Sequence, residues 1–273
     1  MELCYRIYDP TKNITALVTT PVPRFSHAAV AAKLMKALPF VEQTGFLEKP
    51  ADPTARLRLQ MMGGEFCGNA AMSAAVFLAE QDKLSQGEEA NYLIEVSGNP
   101  GVLCCRIERR DEGFLGTVSM PLPEEIIHLE LKPPEFPGAL SVPAVRFPGI
   151  IHCIVPADRM TRQTAQSQLP ALCDRLKSDA CGFLLFDERS ASFTPLVYVA
   201  STDTAVWESG CGSGSAAIGA YLSELSGADG DVVLQQPGGS IRVRSHRDGG
   251  QIAALAITGQ VRGAGAGHLD FNP

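Results

Sequence analysis

The chain is short of charge: 19% of its 273 residues are Asp, Glu, Lys or Arg, and the formal net charge is −7. No cluster of Lys and Arg offsets that balance, so a surface that tracks nucleic-acid phosphates is not expected. Long hydrophobic runs are also missing. The most apolar stretch, Ala70 to Ala79, is ten residues long, whereas a membrane span takes about 20. The opening MELCYRIYDP has no basic region followed by an apolar run, so no secretory signal is expected and the cytoplasm is the default location. There is no Cys-x-x-Cys pair, no Gly-x-Gly-x-x-Gly after a strand, no P-loop and no pyridoxal phosphate signature. Neither a cofactor nor a metal is therefore expected. The expected partner is a small molecule, with at most a second copy of the chain as a homodimer.

What is present is an ordinary globular composition, 45% hydrophobic, long enough for one large domain or two halves with ample core. Eight cysteines are many for this length. With no export signal and no regular spacing they read as reduced, and most as small apolar core residues.

Two of these cysteines head an internal repeat. Glu65-Phe66-Cys67-Gly68-Asn69-Ala70-Ala71 aligns with Ser209-Gly210-Cys211-Gly212-Ser213-Gly214-Ser215. The spacing of apolar residues predicts similar surroundings for both. In the first half, strands are predicted near 3–8 and 14–19, a helix near 26–38 and strands near 44–48 and 56–62. The cysteine-led helix then runs to about 82 and precedes strands near 91–97, 101–108 and 114–120. In the second half, strands fall near 126–132 and 150–155, a helix near 161–176 and strands near 182–187 and 195–200. After the second cysteine and its helix come strands near 231–236, 240–245 and 252–258. Pro121 to Pro148 holds seven of the 19 prolines and reads as an irregular connection with at most short strands. The predicted halves are 1–120 and 121–262, with the glycine-rich tail 263–273 a candidate strand returning to the first.

Both cysteine-led helices are apolar nearly all round, which places them inside the protein. The predicted fold class is α+β, two pseudosymmetric halves, each a curved, mostly antiparallel sheet wrapped around a central helix. Each cysteine then sits at a helix N-terminus, where unpaired N–H groups and the helix dipole favour a thiolate and bind carboxylates. Gly68 and Gly212 allow close backbone approach, and Asn69 and Ser213 add side-chain donors. Two such ends facing each other would hold an α-carboxylate. One ionised and one protonated thiol would exchange a Cα proton and invert the stereocentre. Either motif alone also fits a glycine turn that caps a buried helix; the repeat of both in register favours chemistry. Glu208 is a candidate for the substrate ammonium or a surface carboxylate. Glu65 is a weaker candidate, and Glu42 is a strand-end acid or a pocket acid. His152-Cys153 does not read as a dyad, because strand neighbours point to opposite faces.

The paired cysteines resemble those of the diaminopimelate epimerase superfamily, which implies that fold, with the active site between the halves. Ala70-Ala71-Met72-Ser73 and Ile150-Ile151-His152 depart from diaminopimelate epimerase itself and point away from that substrate. The sequence more closely resembles the histidine racemases of staphylopine-type metallophore biosynthesis. The shared residues include Tyr8-Asp9-Pro10 with Asn13, Glu42-Gln43, Glu65-Phe66-Cys67-Gly68-Asn69 and Leu185-Phe186-Asp187-Glu188. They continue through Trp207-Glu208, Cys211-Gly212-Ser213-Gly214 and Gln236-Pro237-Gly238-Gly239-Ser240-Ile241. The resemblance implies a pyridoxal-independent racemase of histidine with Cys67 and Cys211 as the two acid/bases. It makes Glu42 a candidate for imidazole recognition and Asn13 and Glu208 candidate substrate contacts. The alternatives are a racemase of another amino acid, a thiol redox switch and a zinc-binding module.

Overall fold

Side chains alternate between buried and exposed along most strands, while two helices are buried on every side. A computed structural model describes residues 2–132 and 138–271. The chain forms two compact units, one running to Ser119 and resuming at Thr258, the other Met120–Ile257.

The first unit contains β1 (Glu2–Pro10), β2 (Thr15–Val18), α1 (His27–Ala37), β3 (Gln43–Glu48) and β4 (Leu57–Met61). It continues with α2 (Gly68–Gln81), β5 (Glu89–Val96), β6 (Val102–Arg110) and β7 (Gly113–Ser119). The second contains β8 (Glu125–Leu131), β9 (Leu140–Phe147), β10 (Ile150–Pro156), α3 (Arg162–Leu176), β11 (Ala180–Asp187) and β12 (Ser192–Val199). After these come β13 (Thr204–Trp207), α4 (Gly212–Ser226), β14 (Gly230–Gln236) and β15 (Gly239–Asp248). The last strand, β16 (Gln251–Asp270), is shared: its start belongs to the second unit and its remainder to the first.

Strands β1 to β7 are hydrogen-bonded in sequence order, β16 follows β7, and β16 also pairs with β1, so the first unit's sheet closes on itself. Most pairs are antiparallel. The parallel ones, β2 with β3 and β4 with β5, are those bridged by helices α1 and α2. The second unit repeats this pattern: β10 and β11 are parallel across α3, β12 and β14 across α4, with antiparallel pairs between. The architecture is α+β, with the same order of pairings in each half.

Helix α2 lies against β1, β2 and β4 to β7. Every residue from Gly68 to Val76 is buried, which its small side chains permit. Gly116 of β7 lets the strand approach closely, since a Cβ there would lie 3.1 Å from the Met72 side chain. Fully burying a side chain such as Met72 contributes about 1.5–3 kcal/mol. Helix α4 packs on β9, β10, β14 and β15. The other two helices are one-sided. In α1, His27, Val30, Ala31 and Leu34 are buried; in α3, Ala165, Leu169, Leu172 and Cys173.

The structure corrects one expectation and extends another. The proline-rich connection holds two full strands, β8 and β9, paired from Glu125↔Arg146 to Leu131↔Leu140, although residues 133–137 lie outside the described part. β9 tolerates Pro143 because its pairing with β10 covers only Ala144 to Phe147. Consequently β9, not the strand predicted near 126–132, is the counterpart of β1, and β8 stands beside β9 as β16 stands beside β1. The tail through Asp270 is part of one 20-residue strand. Its glycines have a steric cause: Gly267 lies opposite Tyr5, and a Cβ there would come within 2.8 Å of Tyr5 Cζ. Residues 272–273 of that predicted strand lie outside the described part.

Candidate active site

Cys67 is the N-cap of α2. Its extended backbone (φ −134°, ψ 112°) turns the sulfur back over the first turn, where Sγ accepts the Ala70 N–H at 3.4 Å. The same thiol donates to Gln43 Oε1 at 3.2 Å. Gln43 is held in that orientation, because its Nε2 donates to Asn13 Oδ1 at 2.8 Å and to Thr15 Oγ1 at 2.7 Å. Asn69 Nδ2 also donates to Asn13 Oδ1, at 3.0 Å, and Asn13 Nδ2 donates to Glu42 Oε2 at 2.8 Å. One network thus brings Cys67, Asn69, Asn13 and Glu42 together, with Gly68 as the first residue of the helix. Burial pushes the Glu42 carboxyl above the ordinary carboxylate range; the Asn13 bond opposes this and nearby Asp9 adds to it. Glu65 is pushed up by burial as well.

The second unit repeats the device. Cys211, φ −117° and ψ 108°, caps α4, and its Sγ accepts the Gly214 N–H at 3.3 Å. Ser213 Oγ lies 3.5 Å from that sulfur and 2.9 Å from His152 Nε2. Beneath the thiol, Gln236 Oε1 accepts the Cys211 N–H at 2.6 Å and Gln236 Nε2 donates to Ser215 Oγ at 3.0 Å. Ser215 returns a bond to the Cys211 carbonyl at 2.7 Å. One difference between the halves has a steric cause: where α2 has Ala70, α4 has Gly214, and a Cβ there would lie 2.8 Å from Leu184 Cδ2 and 3.2 Å from Cys211 Sγ.

A helix N-terminus alone predicts a lowered thiol pKa. At Cys211 the opposite holds. Burial and the Glu208 carboxylate, which also accepts a hydrogen bond from the thiol, hold it well above the usual range, and the Ser213 and Gly214 donors only partly compensate. These surroundings favour the protonated form of the Cys211 sulfur.

The sequence of residues 2–269 matches the family described as the histidine racemase CntK N-terminal domain. The chain belongs to the histidine racemase family. It is 29% identical over 262 residues to the histidine racemase of Staphylococcus aureus, covering 93% of this chain and 92% of that one. It is 33% identical over 245 residues to the histidine racemase of Fusobacterium nucleatum subsp. nucleatum, covering 84% and 85%. Among solved structures, a probable proline racemase of Agrobacterium radiobacter K84 shares the fold with a TM-score of 0.74, at 16% identity over 99% of this chain and 94% of that one. A hydroxyproline epimerase of Agrobacterium vitis matches with a TM-score of 0.74, at 13% identity over 98% and 92%. The protein is an isomerase, an amino-acid racemase.

Some residues of this racemase's candidate site are not singled out by the sequence. Gln43 stands in a motif shared with the family but gives no chemical signal by itself. Gln236 reads as part of a hairpin turn, and His152 is set aside because it cannot pair with Cys153. The strand alternation indeed separates those two: Cys153 faces the core packed against α3, while the His152 ring faces Ser213 of α4. The signal that would single out His152 is a polar residue on the helix-facing side of a buried strand, visible only once the fold assigns the faces. Cys105, Cys153, Cys173 and Cys181 are buried, and Cys4 and Cys104 exposed. Among the described residues no three His, Cys, Asp or Glu side chains gather to hold a metal, and no helix is long and apolar enough to cross a membrane.

Proposed function

We propose that this racemase interconverts L- and D-histidine without a cofactor, using Cys67 and Cys211 as the two acid/bases. The observation that carries the reading is the duplicated cap: in each unit a cysteine sulfur accepts a first-turn N–H while an acceptor, Gln43 Oε1 or Glu208, faces its proton. Inversion by proton exchange needs a base on one side of Cα and an acid on the other, and each unit supplies one such thiol. The thiolate takes the Cα proton, the thiol delivers its own to the opposite side, and the roles reverse for the other enantiomer.

The helix N-termini of α2 and α4, with Gly68, Asn69, Gly212 and Ser213, suit an α-carboxylate and the charge that builds on it in the transition state. Glu208 is suited to draw the proton from Cys211 and to accept from the substrate ammonium. Glu42, anchored by Asn13 and short of solvent, offers a carboxylate to an imidazole N–H. Free thiols fit a reducing compartment such as the cytoplasm. D-Histidine made there would feed assembly of a metal-chelating opine.

The test is chiral chromatography of L-histidine incubated with the reduced protein in heavy water. Racemisation with deuterium at Cα is expected, together with its near abolition in Cys67→Ser and in Cys211→Ser while both remain folded. Full activity in either variant refutes the two-thiol assignment, and product without solvent label refutes proton exchange. A panel of other L-amino acids tests the substrate. Glu42→Ala is expected to lose preference for histidine, and unchanged kinetics would remove that role.

A further inference from the structure

One buried polar atom beside the second thiol lacks a partner. His152 is fully buried, and among the described residues its Nδ1 has no hydrogen-bond partner. The ring is wedged between two elements. On one side is Gly182 of β11, where an added Cβ would collide with Nδ1; on the other is Ser213, whose Oγ is 2.9 Å from Nε2. Burial lowers the ring's pKa to about 3, which favours the neutral imidazole. A neutral imidazole has one donor and one acceptor nitrogen. Placing the hydrogen on Nδ1 would orphan a buried N–H, which folded proteins rarely tolerate, whereas an unmet acceptor costs less. The hydrogen therefore belongs on Nε2, directed at Ser213 Oγ.

We propose that His152 and Ser213 are positioning residues for Cys211: the His152 Nε2–H donates to Ser213 Oγ, which turns the Ser213 O–H onto Cys211 Sγ. The chain is one-directional. With the serine oxygen occupied by the imidazole N–H, its own hydrogen goes to the sulfur 3.5 Å away, beside the Gly214 N–H. The thiol proton is left for Glu208, so the two fixed donors remain on the sulfur after that proton leaves and stabilise the thiolate. His152 acts as a neutral, oriented dipole and exchanges no proton.

The titratable groups facing this sulfur among the described residues are Glu208 and His152. Of the strands under α4, β15 turns Ile241, Val243 and Ser245 inward, while Arg242 and Arg244 point outward to Asp231. Arg146 of β9 is paired with Glu125. Glu208 raises the thiol's titration midpoint, and the His152–Ser213 chain opposes it.

This inference rests on Cys211 carrying a proton in the reaction, but its test does not use racemisation. Long-range proton–nitrogen correlation spectra of the wild-type protein with ¹⁵N-labelled histidine report the tautomer, the His152 signal being identified by its loss in His152→Gln. The expected result is the neutral Nε2–H form, unchanged from about pH 5 to 8. An Nδ1–H tautomer, or protonation within that range, overturns the proposal. The thiolate absorbance of Cys211, taken by difference from Cys211→Ala, gives its midpoint. Ser213→Ala and His152→Leu are each expected to raise it by about one pH unit. His152→Gln, which carries an N–H at a similar reach, is expected to restore it. An unchanged midpoint in Ser213→Ala overturns the donation to sulfur, and that variant with the wild-type spectrum decides the matter even if His152→Leu does not fold. A protein that fails to racemise histidine but shows this tautomer and these midpoints refutes the catalytic reading and leaves the donor chain standing.

Discussion

Replacing Gln236 by Leu removes the support under the Cys211 thiol while nearly preserving side-chain volume. Gln236 is 9% exposed, and its amide does two things at once: Oε1 receives the Cys211 N–H at 2.6 Å and Nε2 reaches Ser215 Oγ at 3.0 Å. With leucine the Cys211 N–H becomes a buried, unpaired donor, which costs about 1–3 kcal/mol, and the lost bond to Ser215 adds about 0.5–1.5 kcal/mol. Ser215 keeps its bond to the Cys211 carbonyl, so the damage stops there. The expected destabilisation is about 2–4 kcal/mol, read from equilibrium urea unfolding. Gln235→Leu is the control, the same chemical change on the adjacent exposed residue, and should stay within about 0.5 kcal/mol of wild type. Activity should fall further than stability explains, because the freed backbone no longer fixes the thiol. Equal stabilities for the two leucine variants would refute the clamp.

Glu42→Gln is expected to raise stability at neutral pH. Burial raises the folded-state pKa of Glu42, so the carboxylate costs stability once pH climbs through its unfolded and then its folded pKa, and the gain from Gln should vanish near pH 4; urea unfolding at both pH values checks this. Gly219→Ala in α4 would place a Cβ 2.8 Å from Val243 Cβ. Overpacking should outweigh the helix-propensity gain and destabilise by about 1 kcal/mol or more, and Val243→Ala should relieve part of it in a double-mutant cycle. Tyr8→Phe loses the 2.7 Å bond from Tyr8 Oη to Glu80 Oε2, which ties β1 to the end of α2. About 1 kcal/mol is expected from a thermal or urea midpoint; no change would mean that water replaces the tyrosine fully.

Much of the architecture was legible in the chain because it rests on local pattern. Alternating strands, the all-apolar cysteine-led helices and the doubled Cys-Gly motif each follow from side-chain periodicity and small-residue content. The cap geometry of Cys67 and Cys211 follows too, since a short polar-capable side chain before a helix turns back on the first N–H groups. β9 was hidden because Pro143 argues against a strand, and only the pairing shows that its missing donor falls where β10 no longer needs it. The glycine-rich tail was legible as a returning strand, but its continuity with the strand before it and the contact of Gly267 with Tyr5 come only from the pairing.

The candidate site divides in the same way. Amino-acid order by itself determined where the two thiols sit, because each is placed by contacts within a few residues. It could not supply Gln43, Gln236 or His152, nor the sign of the shift at Cys211, because these depend on groups far along the chain and on how completely water is excluded. Electrostatic and hydrogen-bond energies depend on distance and solvent, and for these residues only the folded chain sets either.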